Sequence, residues 1–248
     1  MAEQLGKIEK PPAGPFRQGK KLYLVPLVYL NEDSPSEYKE RCDRYWQQVA
    51  EQLGNLEAKI GRVSRIYHES ISQPGDDGVK VVEKTNLGSY QIVKNKCDSG
   101  AILEAFEEKE LLAEVMDWER CLLFGFVSGK VARKVSEFYL EAAKKRYEFM
   151  AKRINETLKD DEAGLLFIRE GHQLQFPGDI EVFSVFPPAL DEIHRWLRDQ
   201  ARAKREEVEE KWEEAEKVKV KGEGAGEEGE EAKRKRKGTE EKREKMED

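Results

Sequence analysis

Residues 21–30 read KLYLVPLVYL, a stretch that is apolar on both of the faces that alternate along an extended chain. Such a run is typical of a strand covered by other elements on both sides, as in parallel sheets. It contains Pro26, which has no N–H to donate to a neighbouring strand. We therefore expect a strand in which Pro26 lies at a bulge or on the edge of the sheet.

The segment that follows predicts a long amphipathic helix. Residues 34–37 (SPSE) have the spacing of a capping box, with proline at the first helical position, where its missing N–H costs no hydrogen bond. Apolar residues then recur at spacings of three and four as far as Ile60, and Gly61 supplies a stop. A second strand, residues 62–71 (RVSRIYHESI), comes next. Strand, helix and strand form a βαβ unit, whose two strands run parallel.

Other segments continue the alternation of strands and helices. Residues 164–168 (GLLFI) and 180–185 (IEVFSV) predict two further strands, and residues 101–106 predict a short one. A helical pattern of apolar residues extends over residues 130–159. We therefore predict an α/β fold with a parallel or mixed sheet of four to five strands, flanked by long amphipathic helices.

The segments after the second strand are less regular. Residues 73–78 (QPGDDG) predict a turn, and residues 79–100 predict two short helices around Gly88, although residues 79–82 are also compatible with a strand. Residues 111–122 carry apolar positions at helical spacing, and Gly125 marks the end of that helix.

The composition divides the chain into four parts. Residues 1–20 contain prolines and glycines with little to bury, which favours a flexible leader. Residues 21–198 are expected to form the α/β domain, and residues 199–218 a charged helix that projects from it. Residues 219–248 contain no aromatic residue and nearly balanced charges, so we predict a disordered tail.

The charge and cysteine content limit the classes of function. A formal net charge of −7 argues against a protein whose main work is coating nucleic acid. The three cysteines lie far apart among apolar residues, which indicates buried thiols and a reducing compartment. No apolar run has the length of a signal peptide or a membrane helix, so we expect a cytoplasmic protein without a membrane partner.

No motif of a well-understood enzyme class is present. The sequence lacks GxGxxG after a predicted strand, and it lacks GxxxxGK[ST], GxSxG, HExxH and CxxC. Whether the protein is an enzyme is left open. The leading interpretation is a non-enzymatic interaction or regulatory module that docks through its long amphipathic helices on a protein partner or on a second copy. Val208 and Trp212 of the projecting helix are the candidate contacts.

A metal-assisted hydrolase is the first alternative. His68 and Glu69 follow one predicted strand, and Glu170 and His172 follow another. If these strands are parallel neighbours, the four side chains meet at the carboxyl edge of the sheet, where ligands of such sheets bind. Two imidazoles and two carboxylates can divide acid and base roles, and His68 and His172 are candidate ligands of a divalent metal.

Association with RNA or the ribosome is the second alternative. Lys144, Lys145 and Arg146 form the largest basic cluster in the predicted domain. The tail also contains five consecutive cations at residues 233–237. Acidic runs flank these cations on both sides and weaken their field, so a solvated tail is the simpler interpretation.

Overall fold

The structure is a computed structural model that describes residues 18–212. Its strands are β1 (Lys20–Pro26), β2 (Val63–His68), β3 (Ile102–Leu103), β4 (Ala163–Ile168) and β5 (Ile180–Ser184). Its helices are α1 (Ser36–Lys59), α2 (Gly75–Thr85), α3 (Leu87–Asp98), α4 (Lys109–Leu123), α5 (Gly129–Thr157) and α6 (188–212). The predicted α/β fold is confirmed.

The five strands form one sheet in the order β3-β2-β4-β1-β5, and every described strand pair is parallel. The choice between a parallel and a mixed sheet is therefore resolved. β1 lies between β4 and β5, where Lys21 pairs with Ala163 and Lys20 pairs with Ile180. β1, the first strand in the chain, is thus paired with β4 and β5, the last two strands.

Helices cover both faces of the sheet. On one face α1, α2, α3 and the start of α6 pack on alternate strand residues such as Tyr23, Val25 and Phe167. On the other face α5 and the connection from β4 to β5 pack on Leu22, Leu24 and their neighbours. This double cover explains why β1 and β4 are apolar on both faces.

The placement expected for Pro26 is wrong. β1 is an inner strand, and its described pairing contains no bulge at Pro26. Pro26 is instead the last residue of the strand, and the next residue, Leu27, resumes the ladder by donating its N–H to the carbonyl of Ile168 at 2.9 Å. A strand end therefore accommodates proline here, while the irregularity of the sheet lies in β2 between Val63 and Arg65.

The capping box predicted for α1 does not form. The N-cap residue is Pro35, without a side-chain cap, and the helix begins at Ser36. The Ser34 hydroxyl accepts a hydrogen bond from the N–H of Asn31 at 3.0 Å, so it closes the preceding loop instead.

The segment after β2 is more helical than predicted. α2 begins at Gly75, within the predicted turn, whereas the two helices expected around Gly88 are present as α2 and α3. Gly88 lies against the indole of Trp46 in α1, since a Cβ atom at position 88 would be 2.1 Å from Nε1 of Trp46. This close approach is one that only glycine permits.

The contacts divide the chain into two units, with the boundary between Ile193 and His194. In the second unit, residues 194–212 are helical, so the predicted projecting helix is helical as far as it is described. Most of the predicted leader and the whole predicted tail, including residues 233–237, lie outside the described residues. Within residues 18–212 no helix combines the length and the apolar character needed to cross a membrane.

Candidate functional site

The sheet topology singles out one place for a ligand. After β1 the chain crosses to the α1 face, while the connection after β4 lies on the α5 face. β1 and β4 are neighbours, so their carboxyl ends mark the point where the chain direction switches. Ligands of open parallel sheets bind at such a point. Residues 27–35 and 169–179 flank it.

Glu69 is the most connected carboxylate at this edge. Its side chain is fully buried just after β2. One oxygen, Oε2, accepts the backbone N–H of Arg169 at 2.7 Å, and Oε1 accepts Nε of Arg169 at 2.6 Å. Nη2 of Arg146, from α5, donates to Oε1 at 3.0 Å. β2 and β4 are parallel neighbours, and the residues that follow them, Glu69 and Arg169, are in contact. The alternative hydrolase interpretation required this pairing of the two strands.

Two further carboxylates extend the group. Arg146 donates from Nε to Oε2 of Glu107 at 2.9 Å and from Nη2 to Oε1 of the same carboxylate. Nη1 of Arg169 donates to Glu119 of α4 at 3.1 Å. We refer to Glu69, Glu107, Glu119, Arg146 and Arg169 as the edge ion cluster. It connects β2, β4, α4 and α5.

The electrostatics of the cluster are those of a satisfied internal network. Burial alone would raise the pKa of Glu69, but the charges and hydrogen bonds of Arg169 and Arg146 outweigh it, and the pKa lies below its ordinary value. Burial likewise opposes the charge of Arg146, and its bonds to Glu107 and Glu69 raise its pKa nevertheless. Three carboxylates face two guanidinium groups, so the cluster offers no spare positive charge to an anionic ligand.

His68 is a buried neutral histidine on the opposite face of the sheet. Its Nδ1 lies 2.7 Å from the carbonyl oxygen of Glu69, and its Nε2 lies 3.0 Å from the hydroxyl of Ser89 in α3. Burial lowers the pKa of His68 to about 4. A carbonyl only accepts, so the proton resides on Nδ1, and Nε2 can act only as an acceptor. The single proton of the Ser89 hydroxyl is shared between Nε2 and the carbonyl oxygen of Asn86, which lies 3.1 Å from the hydroxyl. Both ring nitrogens are therefore engaged.

Glu170 and His172 lie in the connection after β4. Glu170 is exposed, and His172 is half-buried with Nδ1 accepting the N–H of Leu174 at 3.3 Å. The ring of His172 contacts that of Phe176, which packs on the α5 face. The four residues predicted as a site thus do not converge, because His68 faces α3. Their catalytic and metal-binding roles stay predictions, and residues 18–212 contain no cluster of three or more His, Cys, Asp or Glu suited to a metal ion.

The basic cluster of α5 is not a single face. Lys144 and Lys145 are exposed and pair along the helix with Glu148 and Glu141. Arg146 is buried in the edge ion cluster, so the part of the RNA interpretation that placed it on the surface is wrong.

Val208 and Trp212 are exposed positions on the helix of the second unit. Exposure is what a docking role requires, and their role as partner contacts stays a prediction.

The helical hairpin of α4 and α5 carries a feature that the sequence reasoning missed. The helices pack through Val115, Ala142 and Ala143, with Trp118 stacked on Phe138 at a ring distance of 5.1 Å. At the connection, Leu123, Phe124 and Val127 have relative exposures of 85%, 90% and 109%. We call residues 123–127 together with the first two turns of α5 the hairpin end. Large apolar side chains there are almost wholly in solvent.

The hairpin end is also cationic. No acidic residue occurs between Glu119 and Glu137, an interval that contains Arg120, Lys130, Arg133 and Lys134. Arg120 pairs with Asp117, and Lys134 pairs with Glu137. The side chains of Lys130 and Arg133 make no hydrogen bond or ion pair with any residue in the described range 18–212. The acid-free interval, in a chain that contains 51 acidic residues, is the sequence signal that would have pointed to this surface.

A cleft of about 560 Å³ lies between α1 and α3. Trp46, Ala50 and Ile92 line its apolar part, and Asp43 and Gln91 lie among its polar lining residues. Its walls are mainly faces of α1 and α3, and Leu30, from the loop that follows β1, also lines it. None of its lining residues belongs to the edge ion cluster or to the hairpin end.

Comparisons with known protein families, with curated proteins and with solved structures found no match for this chain.

Proposed function

We propose that this protein is a non-enzymatic interaction module that docks on a macromolecular partner through the hairpin end. The observation that carries the proposal is the near-complete exposure of Leu123, Phe124 and Val127. A contiguous exposed apolar patch on a folded protein is typical of an interaction site.

The energetics support the same interpretation. Side chains exposed to this extent contribute little to the stability of the fold, whereas burying each one in a complex contributes about 1.5–3 kcal/mol. The apolar side chains at the hairpin end are therefore free to stabilise a complex, because the fold does not bury them.

The arrangement at the carboxyl edge of the sheet supports an enzymatic function less well than the hairpin end supports docking. The carboxylate of Glu69 is occupied by two arginines, and both nitrogens of His68 are hydrogen-bonded. A metal-assisted hydrolase using these residues with Glu170 and His172 stays an alternative prediction.

RNA binding is the second candidate function, favoured by a specific observation. Phe124 and Phe126 are exposed beside Lys130 and Arg133 at the hairpin end. Aromatic rings and cations at one surface are typical of proteins that bind single-stranded nucleic acid. Lys144 and Lys145 lie elsewhere on α5 and belong to a separate, internally paired surface.

The first experiment asks whether the exposed apolar residues serve the fold or a partner. The double variant Phe124→Ser, Val127→Ser is compared with Val115→Ser, which introduces a hydroxyl at the buried contact of the same hairpin. We expect the double variant to keep its free energy of unfolding within about 0.5 kcal/mol, and Val115→Ser to lose about 2 kcal/mol or more.

Urea denaturation followed by circular dichroism measures the stability, and fluorescence of an apolar dye bound to the native protein measures the exposed patch. The dye signal should fall in the double variant alone. A loss of stability in the double variant equal to that of Val115→Ser would mean that Phe124 and Val127 support the fold, and the proposal would fail.

A further inference from the structure

We infer that the partner of the hairpin end is an anionic lipid surface, into which residues 123–127 insert. This inference rests on the proposed docking function and adds the chemistry of the partner. It differs from the sequence-based expectation of no membrane partner, which considered only membrane-spanning helices and signal peptides.

The shape of the hairpin end favours a partner that surrounds it. Leu123 is the last residue of α4, and Phe124 and Val127 lie in the short connection that leads to α5; each is exposed at 85% or more. A flat protein surface would cover only one side of such a connection. The boundary of a lipid layer closes around an inserted side chain on every side, and it needs no preformed complementary groove.

The charges favour an anionic partner. The hairpin end contains three cations, Lys130, Arg133 and Lys134, and no acidic residue. Lys134 pairs with Glu137, whereas the side chains of Lys130 and Arg133 have no ion-pair partner in the described part of the chain. Each Lys or Arg beside an anionic leaflet contributes attraction that is worth about a fivefold gain in partitioning.

The cations follow directly after the apolar residues, within the first two turns of α5. From Lys130 to Lys134 the axis of α5 rises about 6 Å, at 1.5 Å per residue. Apolar groups of interfacial elements reach about 5–10 Å into the boundary between headgroups and acyl chains. With the apolar residues at that depth, the cations of the first two turns of α5 lie at the level of the lipid phosphates.

A lipid layer provides a favourable environment for more of the exposed side chains at the hairpin end than RNA does. Single-stranded RNA would use the rings of Phe124 and Phe126 and the cations. It has no apolar phase for Leu123 and Val127, which are both exposed at 85% or more. An anionic lipid layer provides a place for all of these side chains.

The test is sedimentation of the full chain with vesicles. One set consists of phosphatidylcholine alone, and in the other about a third of the lipid is phosphatidylglycerol, which supplies the negative surface potential. We expect binding to the anionic vesicles that weakens as salt is added, and little binding to the neutral ones. Phe124→Ser with Val127→Ser should weaken binding by at least about tenfold, and Lys130→Gln with Arg133→Gln by about 25-fold.

Matched controls make the result specific. Lys144→Gln with Lys145→Gln removes the same number of charges from the same helix, away from the hairpin end, and Leu87→Ser removes an exposed apolar side chain from α3. Both controls should bind like the original protein. Equal weakening by the controls and by the hairpin variants would contradict the inference.

The remaining outcomes separate the inference from the proposed function. Absence of vesicle binding together with salt-sensitive binding to polyuridylate, lost in the hairpin variants, would overturn the lipid partner and keep the docking function. Self-association that the same variants abolish, seen by sedimentation velocity without vesicle binding, would assign the surface to a second copy. If vesicles, RNA and self-association all fail and Phe124→Ser, Val127→Ser unfolds the protein, both the inference and the proposed function are wrong.

Discussion

At the scale of single residues, Arg146 shows how sequence context can mislead. It follows two exposed lysines, yet it is buried and bonded to Glu69 and Glu107. A buried charge is tolerated only when opposite charges and hydrogen bonds replace its hydration. Arg146 therefore belongs to the structure of the sheet edge, whereas Lys144 and Lys145 belong to the surface.

Replacing Arg146 by methionine should strongly destabilise the fold. Arg146→Met leaves the carboxylates of Glu69 and Glu107 buried with fewer positive partners, and removing one partner of a buried pair costs about 3–5 kcal/mol. Urea denaturation monitored by circular dichroism measures the loss. Lys145→Met, one residue away on the exposed side of α5, should change stability by less than about 0.5 kcal/mol. Equal effects of the two substitutions would contradict the description of the edge ion cluster.

His68 should make the fold sensitive to mild acid. Its pKa in the folded protein is lowered by burial from 6.5 to about 4, so the unfolded chain takes up a proton first as the pH falls. The stability that depends on neutral His68 is complete above pH 6.5 and is lost as the pH falls toward 4. The total is on the order of 3 kcal/mol, since one pKa unit corresponds to about 1.4 kcal/mol.

Denaturation at a series of pH values tests this dependence, with His68→Gln as the variant. The variant should be less stable than the original protein near neutral pH but should lose less further stability between pH 6.5 and 4. The pKa of Glu69 is lowered from 4.5 and that of His172 from 6.5, so both groups also contribute to the pH dependence. Both are present in the two proteins, and the difference between the two pH profiles therefore reports on His68. Identical pH profiles for the two proteins would rule out the role given to His68.

The candidate site was only partly predictable at this scale. Histidine and glutamate after two apolar strands were recognised from the sequence, and the strands are parallel neighbours. The partners of Glu69 were not recognised from the sequence, because Arg146 and Arg169 lie 77 and 100 residues away in the chain. Side-chain contacts at such separations depend on the order of strands in the sheet, which local patterns do not encode.

At the scale of elements, the contact between α1 and α3 depends on a missing side chain. Gly88 lies in the first turn of α3, directly against the indole of Trp46 in α1. Helix axes approach more closely where one of them presents only hydrogen, and the approach fixes the angle at which α3 crosses α1.

Gly88→Ala should therefore destabilise the protein. The added methyl would stand 2.1 Å from Nε1 of Trp46, and forcing extra volume into a packed contact costs about 1–3 kcal/mol. Gly54→Ala is the matched control, since Gly54 lies inside α1 and a methyl group added there would meet no atom within 4 Å. That control should raise stability by up to about 1 kcal/mol, because alanine is the better helix former. Thermal denaturation distinguishes the two, and a stabilised Gly88→Ala would contradict the close contact.

Long elements were predictable, while their ends were not. The apolar stripe of α1 is repeated over several turns, so no single residue decides its existence. The start of α1 is harder to predict, because the Ser34 hydroxyl can either cap the helix or bond to the preceding loop. In the structure it accepts the N–H of Asn31 in that loop. The hairpin end was missed for a related reason: Leu123, Phe124 and Val127 have the composition of core residues, and only the three-dimensional arrangement leaves them exposed.

At the scale of the whole molecule, the sheet is assembled from distant parts of the chain. β1 pairs with β4 and β5, and β4 separates it from β2. The two strands of the βαβ unit, β1 and β2, therefore run parallel as predicted. They are not adjacent, because β4 lies between them. Loop-closure entropy must be overcome before such pairings form, which makes the fold slow to complete.

A fragment of residues 1–160 should consequently lack a cooperative fold. It contains β1 without either neighbour, and among its described residues the strand pairing that remains is β2 with the two-residue β3. A chain ending at residue 212 contains all five strands and is the control. We expect a sigmoidal urea transition for the control and a gradual one for the fragment. A cooperative transition in the fragment would show that β1 folds without β4 and β5.

The central position of β1 has a consequence for biosynthesis. Ribosomes add about 5–20 residues per second, so β1 emerges on the order of ten seconds before the strands that flank it are made. During that interval its hydrogen-bonding edges are open to other nascent chains, as well as to chaperones. Synthesis of this protein should therefore be more sensitive to chaperone supply than its final stability would suggest.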